Sequence, residues 1–293
     1  LSTRKIVLVF ADSHGGHKLG LMNPAVELYE EDENGRLVRW HPRPGPVQEY
    51  LWENYIQDVD NVKQLAGDDP IVVIHGGDIC QGNKYPQQLV GTRMADQILI
   101  AVANFAPIFA LPTLSAVRLV QGTGAHGFGE ASAEILVAEQ LCSMHPNLDI
   151  MALRHGLANV DGVSIDYAHH GPSTGIRIWT EGNQLRYYAK SIMLQELARG
   201  NEPPRVVLRS HYHKAMWETV RVRRDDVNGI VTFWTADFLV LPAYCGLSEH
   251  GQQVSQSKYL ITDGMVALEI VDGELFKIHP FARTQDLRTE EVL

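Results

Sequence analysis

Ile6-Val7-Leu8-Val9-Phe10-Ala11-Asp12-Ser13-His14 joins five consecutive apolar residues to a carboxylate and an imidazole two positions apart. A short unbroken run of β-branched and large apolar residues reads as a strand buried on both faces, the kind found in parallel sheets covered by helices. At the end of such an extended run Asp12 and His14 point to the same side. That suits joint capture of one cation at the carboxyl edge of the strand.

The arrangement recurs along the chain. Asp78 follows Ile71-Val72-Val73-Ile74-His75-Gly76-Gly77, where the paired glycines let backbone approach a ligand closely. His126 lies in Gly122-Thr123-Gly124-Ala125-His126, after Val117-Arg118-Leu119-Val120. His169 and His170 close Val163-Ser164-Ile165-Asp166-Tyr167-Ala168, and His211 and His213 follow Val206-Val207-Leu208-Arg209-Ser210. Ligands of open α/β sheets bind beyond the carboxyl ends of the strands. Five such ends carrying Asp and His therefore predict one shared site.

Working outward, periodicity predicts strands at 4–10, 71–75, 117–121, 148–153, 163–169, 205–210, 216–222, 231–236 and 259–270. It predicts helices near 46–66, 87–105, 131–143 and 183–199. The first half alternates strand and helix, which implies a largely parallel sheet. The last third is strand-rich, with turn signals at Asp225-Asp226-Val227-Asn228-Gly229 and Val271-Asp272-Gly273. The expected fold is α/β, a single domain over 1–293, with the β-rich portion 216–282 completing a second sheet. Residues 30–46 read as a loop-like insertion, and 106–115, with Pro107 and Pro112, as a break.

Bulk properties exclude several classes. The 293 residues are 45% hydrophobic and 20% charged, and carry a formal net charge of −10. That balance disfavours a protein built to grip nucleic-acid backbone. No apolar stretch approaches the roughly 18 residues of a spanning helix, so no membrane partner is expected. The start, Leu1-Ser2-Thr3-Arg4-Lys5, has no signal-peptide pattern. Cys80, Cys142 and Cys245 are too far apart for a disulfide framework or zinc motif. A reducing cytoplasm is the expected setting. No heptad or exposed apolar stripe marks an oligomer interface.

The order Asp-x-His, Gly-Asp, Gly-x-x-x-His, His, His-x-His resembles the calcineurin-like metallophosphoesterase family from residue 5 to about 215. Ala11-Asp12-Ser13-His14-Gly15-Gly16-His17 and Pro204-Arg205-Val206-Val207-Leu208-Arg209-Ser210-His211-Tyr212-His213 look like a phage- or prophage-type branch, whose setting would be the host cytoplasm. The resemblance implies two packed mixed β-sheets flanked by helices, a four-layer α-β-β-α sandwich holding two divalent metals. It implies that Asp12, His14 and His213 bind the first metal, Asp78 bridges both, and His169 and His211 bind the second. His170 is the alternative to His169. His126 is the implied catalytic imidazole. The family's third motif is Gly-Asn-His followed by an acid, whereas here Asn is missing, so a weaker second metal site is expected. Thr123, a backbone carbonyl or water is left to supply the oxygen, and Glu130 is a nearby candidate for orienting His126.

The implied activity is hydrolysis of a phosphodiester related to nucleotides or nucleic acid, through a metal-bridging hydroxide. A phosphomonoesterase, or a catalytically weak metal-binding scaffold, is the alternative. Two divalent ions roughly 3.5–4 Å apart can neutralise phosphoryl oxygens and hold attacking and leaving groups in line. An imidazole can protonate the leaving alkoxide. Oxygen and nitrogen ligands favour manganese here, with iron, zinc or nickel compatible. His17, just past the first motif, and Asn83, in Gln81-Gly82-Asn83-Lys84, are further candidates for metal or substrate. Arg93, Arg118, Arg154 and Arg209 are candidate phosphate clamps, and Trp40, Tyr85, Tyr167 and Tyr212 candidate stacking groups.

Overall fold

Strand β1 (Arg4–Phe10) separates two cores by simple alternation. Ile6, Leu8 and Phe10 join one buried cluster, while Val7, Val9 and Ala11 join another, as side chains on successive strand residues face opposite ways. The computed structural model describes all residues except 1–2, 129–131, 174–179, 226–230, 248–259, 287, 289–290 and 292–293.

After β1 come β2 (Leu28–Glu31), β3 (Leu37–Trp40), α1 (Pro46–Ala66) and β4 (Ile71–His75). Next are α2 (Met94–Asn104), the short α3 (Ala106–Phe109), β5 (Leu114–Val120), α4 (Ala133–Met144), β6 (Asp149–Leu153), β7 (His155–Val160) and β8 (Val163–Ala168). The chain continues through α5 (Asn183–Ala198), β9 (Val206–Arg209), β10 (Met216–Asp225), β11 (Val231–Val240), β12 (Leu260–Val271) and β13 (Glu274–Asp286). One sheet has the order β13-β12-β1-β4-β5-β6, the other β10-β11-β9-β8-β7, and β2 and β3 pair by themselves. Strands β1, β4, β5 and β6 run parallel, as do β8, β9 and β11. The fold is mixed α/β, with mixed sheets flanked by helices.

Helix α1 shows why the flanking layers form. Pro46 opens it, and the Gln48 side-chain carbonyl accepts the Gly45 N–H at 3.0 Å. Gly67, at φ 58°, lets the chain leave the helix. Leu51, Tyr55, Val59 and Val62 form a buried stripe on the same cluster as Ile6 and Leu8. Leu185, Ala189, Met193 and Leu197, each four apart, put α5 on Val207, Val220 and Phe238 of the second sheet. Between the sheets, Val7, Ile74 and Leu268 meet Ile165, Val206 and Leu239.

The structure departs from the sequence reading in several places. The expected helix near 87–105 begins only at Met94. Upstream of it, the chain pairs Leu89 with His17 and donates Val90 N–H to Gly16 O, which helix would forbid. The expected loop 30–46 carries most of the β2–β3 hairpin, turned by Asp32 and by Gly35 at φ 73°. Two four-residue strands, mostly exposed, leave too little apolar pattern to detect. Strands β7 and β13 likewise lie outside the expected strands, and the expected break 106–115 holds α3 and the start of β5. The 216–282 portion divides: β10 and β11 join the second sheet, whereas β12 and β13 extend the first. The cause is that β12 is apolar and buried on both faces. Met265 and Ala267 meet the α1 cluster, while Val266 and Leu268 meet the core between the sheets. The turn at 271–273 joins β12 to β13, and most of that expected at 225–229 lies outside the described residues.

Candidate metal centre

The carboxyl ends of β1, β4 and β5 in one sheet, and of β8 and β9 in the other, converge on one edge. Among the described residues seven non-glycine residues have positive φ, and five are Asp12 (51°), His14 (44°), Asp78 (52°), His211 (80°) and His213 (50°). The other two, Asp161 and Asp272, precede Gly162 and Gly273 in two-residue hairpin turns, where a positive φ is ordinary. The five site residues have no such excuse. A left-handed backbone at a non-glycine residue costs on the order of 1–3 kcal/mol and persists where its surroundings dictate it. Here the loops bind each other: Asp12 N–H donates to Gly77 O at 2.9 Å, His14 N–H to Asp78 O at 3.0 Å, and Gly15 N–H to Ile79 O at 2.8 Å.

Two clusters of donors result. In the first, His14 Nε2 lies 3.2 Å from His213 Nε2 and 3.9 Å from Asp12 Oδ1, and His213 Nε2 lies 3.6 Å from Asp12 Oδ1. In the second, His169 Nε2 lies 3.1 Å from Asp78 Oδ2 and 3.3 Å from His211 Nδ1, which is 3.9 Å from Asp78 Oδ2. Around an ion with bonds of about 2.1 Å, neighbouring donors sit roughly 3.0–3.4 Å apart. Asp12, Asp78 and His169 form a metal-competent group that joins the clusters, His14, Asp78 and His126 form another, and His169, His170 and His211 another. Asp12 Oδ1 is buried without a hydrogen-bond partner, as is His213 Nδ1. An orphaned carboxylate oxygen facing two imidazole nitrogens fits a divalent cation.

The surroundings fix which ring atoms are offered. His14 Nδ1 donates to Gln81 Oε1 (2.9 Å), His169 Nδ1 to Gly76 O (2.8 Å), and His126 Nδ1 to Gln81 O (2.6 Å). Each Nε2 is thereby turned toward the carboxylates, the usual arrangement behind metal-ligating histidines. Asp78 Oδ1 accepts Thr123 N–H (2.6 Å) and the Thr123 hydroxyl (3.1 Å). Glycine is required beside it, since a Cβ on Gly122 would sit 2.0 Å from Asp78 Oδ1 and one on Gly77 2.5 Å from His169 Nδ1.

Of the paired histidines, His169 is buried against Asp78, whereas His170 is exposed, its ring 5.1 Å from that of His211. Thr123 lies against Asp78, and its hydroxyl proton is committed to that carboxylate. His126 Nε2 stands 3.8 Å from Asp78 Oδ2. His17 is drawn away: its Nδ1 accepts Leu19 N–H at 2.9 Å, and no metal-competent group among the described residues includes it. Asn83 is also diverted, its side-chain oxygen accepting Gln97 Nε2 at 2.8 Å. Glu130 lies outside the described residues.

Most of the candidate clamps are committed elsewhere. Arg93 pairs with Asp96 and Arg118 with Asp149. Arg209 is buried, 2.6 Å from Asp166 Oδ1, with its guanidinium near the rings of Tyr188 and Phe238. Arg154 is exposed and donates to Gln121 Oε1. A cavity of about 490 Å³ opens beside His169, lined by Thr123, Arg154, His155, His170, Tyr188 and Arg209 among others. Of the aromatics, Trp40 packs with Met22 and Leu28, Tyr167 is buried between the sheets, Tyr212 donates to Gly171 O, and Tyr85 carries Lys84 over its ring.

Sequence reasoning missed three groups. Gln81 orients two histidines at once, and its position three residues beyond Asp78 was the available signal. His75, inside β4, is held neutral by Gly77 N–H at Nδ1 (3.3 Å) and Ser13 Oγ at Nε2 (3.0 Å). Cys245 lies with its sulfur within 4.8 Å of ligand atoms of His14 and His213, and no local pattern announces it.

Burial opposes ionisation of Asp78, but hydrogen bonds from His169 and His211 and the charge of His169 hold its carboxyl well below the ordinary range. Against burial, the close approach and charge of His213 lower Asp12 as well. Burial, then the charges of His126 and His213, push His14 well below its usual value. Burial would also lower His169, yet the hydrogen bond and charge of Asp78 outweigh it and raise the imidazole to about 9.

No family model matches the chain, and no curated protein matches it. Among solved structures, one similar chain is a protein of unknown function from Aquifex aeolicus. It is 14% identical, with 71% of this chain and 78% of that chain covered at a TM-score of 0.30, too slight a likeness to bear on function. Among the described residues, no helix is long and apolar enough to cross a membrane.

Proposed function

We propose that the chain is a divalent-metal-dependent phosphoesterase of the calcineurin-like type, acting on a small phosphodiester related to nucleotides. The observation that carries the reading is the pair of donor clusters, Asp12-His14-His213 and Asp78-His169-His211, joined through Asp12, Asp78 and His169. The layering of α1, the two sheets and α5 supports the four-layer sandwich that the family would have.

Asp12, His14 and His213 would hold one cation, His169 and His211 a second, with Asp78 between them. Two bound divalent cations, with manganese suited to the oxygen and nitrogen donors of the Asp78 position, would supply charge neutralisation for the phosphoryl group and an easily deprotonated water. The chain's own residues do the rest. Thr123 fixes the Asp78 carboxylate through two donors. With Nδ1–H committed to Gln81 O, His126 in its imidazolium form would hand the Nε2 proton to the leaving oxygen and return to the neutral imidazole. Arg154, on the cavity wall beside His169, would meet an anionic part of the substrate.

The test is hydrolysis of bis-p-nitrophenyl phosphate by manganese-loaded protein beside the Asp78→Asn variant. Turnover that drops at least about 10³-fold in the variant is expected, near 4 kcal/mol of barrier. Wild-type turnover no higher than the variant's sinks the enzyme and leaves a metal-binding scaffold. Faster release from p-nitrophenyl phosphate than from the diester points instead to a phosphomonoesterase.

A further inference from the structure

Cys245 stands where no sequence motif put a ligand. The segment following β11 runs beside the end of β1: Ala243 bridges to Ala11, Tyr244 N–H donates to Ala11 O, and Cys245 bridges to Gly20. This brings the Cys245 sulfur within 4.8 Å of the ligand atoms of His14 and His213. The other two cysteines face elsewhere, Cys80 donating to Gln97 O and Cys142 to Ile150 O.

A second observation marks the same spot as short of a cation. Asp12 is fully buried, and its Oδ1 has no hydrogen-bond partner, although His14 and His213 Nε2 lie 3.9 and 3.6 Å away. With His14 Nδ1–H committed to Gln81, the His14 Nε2 lone pair faces His213 Nε2 at 3.2 Å. A second lone pair there repels the first, while an Nε2 proton on His213 leaves its buried Nδ1 lone pair unanswered. A cation between the two Nε2 atoms accepts both lone pairs and meets Asp12 Oδ1, leaving only the Nδ1 of His213 without a partner.

We propose that the Cys245 thiolate is a protein ligand of the ion held by Asp12, His14 and His213. The inference rests on the metal-centre reading above and adds a sulfur to it. In the metal-free chain the thiol donates to Gly246 O at 3.3 Å. On binding, the S–H bond breaks, the proton leaves to solvent and the sulfur pair forms the bond to the ion. A thiolate beside two imidazoles selects zinc, cobalt, nickel or iron over manganese. The Asp78-His169-His211 cluster has only oxygen and nitrogen donors, so the two positions differ in metal preference.

The experiment is cobalt(II) titration of the full chain, followed by near-ultraviolet absorption with bound cobalt counted by equilibrium dialysis. A thiolate-to-cobalt charge-transfer band is expected in the wild type and in Cys142→Ser, and is expected to vanish in Cys245→Ser. Zinc affinity of Cys245→Ser should fall by at least the roughly 10- to 100-fold that loss of an outer-shell partner costs, with manganese affinity nearly unchanged. Cobalt bound without the band in wild-type protein overturns the sulfur ligand but leaves the metal centre standing, even if the variant fails to fold. Survival of the band in Cys245→Ser does the same. Failure of the wild type to retain any cobalt overturns the centre and the sulfur ligand together.

Discussion

The two halves of the candidate centre are built from the same residue types but placed in different surroundings. Asp12 and His14 are 0% and 4% exposed, and the edge of β1 that carries them is closed over by the segment around Cys245. On the other side Asp78 and His169 are equally buried, but the His211 side chain is 39% exposed and His170 lies beside it at the mouth of the cavity. The difference teaches that a common edge of two sheets can make one tight position and one accessible position. The tight one suits a resident ion. The open one suits an ion that exchanges and meets substrate.

Substitutions that remove one ligand from each half should separate them. Asp12→Asn is expected to lose the resident ion and at least about 10³-fold in turnover, near 4 kcal/mol. His211→Gln is expected to keep one tightly bound ion per chain and to lose about tenfold, recoverable by added manganese. Metal counting after dialysis, alongside diester hydrolysis, checks both. Equal losses of ion and activity in the two variants would break the distinction.

His126 tests the chemistry between the halves. Its Nε2 faces Asp78 from the end of β5, and its other nitrogen is tied to Gln81 O. His126→Gln should slow esters with alkyl leaving groups about 10²-fold, within the range for a general acid. Esters of p-nitrophenol, whose leaving group needs no proton, should be nearly unaffected. Thr123→Val is a smaller change, keeping the N–H bond to Asp78 and removing the hydroxyl. The loss of a hydrogen bond to a charged group is worth about 1.5 kcal/mol or more, so manganese affinity should fall about tenfold. Dialysis at graded manganese would show it. Unchanged affinity would mean that the backbone donor alone holds Asp78.

Much of this architecture was legible in the chain itself. The runs before Asp12, Asp78 and His211 are apolar on both faces, so strand type and site edge follow from composition and order alone. Helices α1, α4 and α5 announce themselves by period. What sequence hides is contact between distant segments. Cys245 reaches His14 across more than two hundred residues through one bridge at Gly20. Likewise His17 and Asn83, next to motifs in sequence, are drawn off by Leu19 N–H and Gln97. Strand β12 read as part of a second sheet because neighbours in sequence usually pair, but its double-sided burial placed it beside β1. The short exposed strands β2 and β3 have no apolar face to detect.

The pH dependence of stability distinguishes a histidine of the centre from one behind it. Burial lowers His75 to about 4, while Asp78 raises His169 to about 9 against burial. In the unfolded chain both titrate near 6.5. Below 6.5 the unfolded state therefore takes up a proton that folded His75 refuses. Its contribution to stability is complete above 6.5 and is lost as pH falls toward 4, at up to about 1.4 kcal/mol per pH unit. His169 works with the opposite sign in metal-free protein: its contribution is complete below 6.5 and is lost as pH rises through 9. Urea unfolding of chelator-treated protein should then show His75→Asn flattening the acid limb and His169→Asn the alkaline limb. Saturating metal requires deprotonated His169, so it should abolish the alkaline difference and leave the acid one in place. An alkaline limb that persists unchanged with metal bound would remove His169 from the centre.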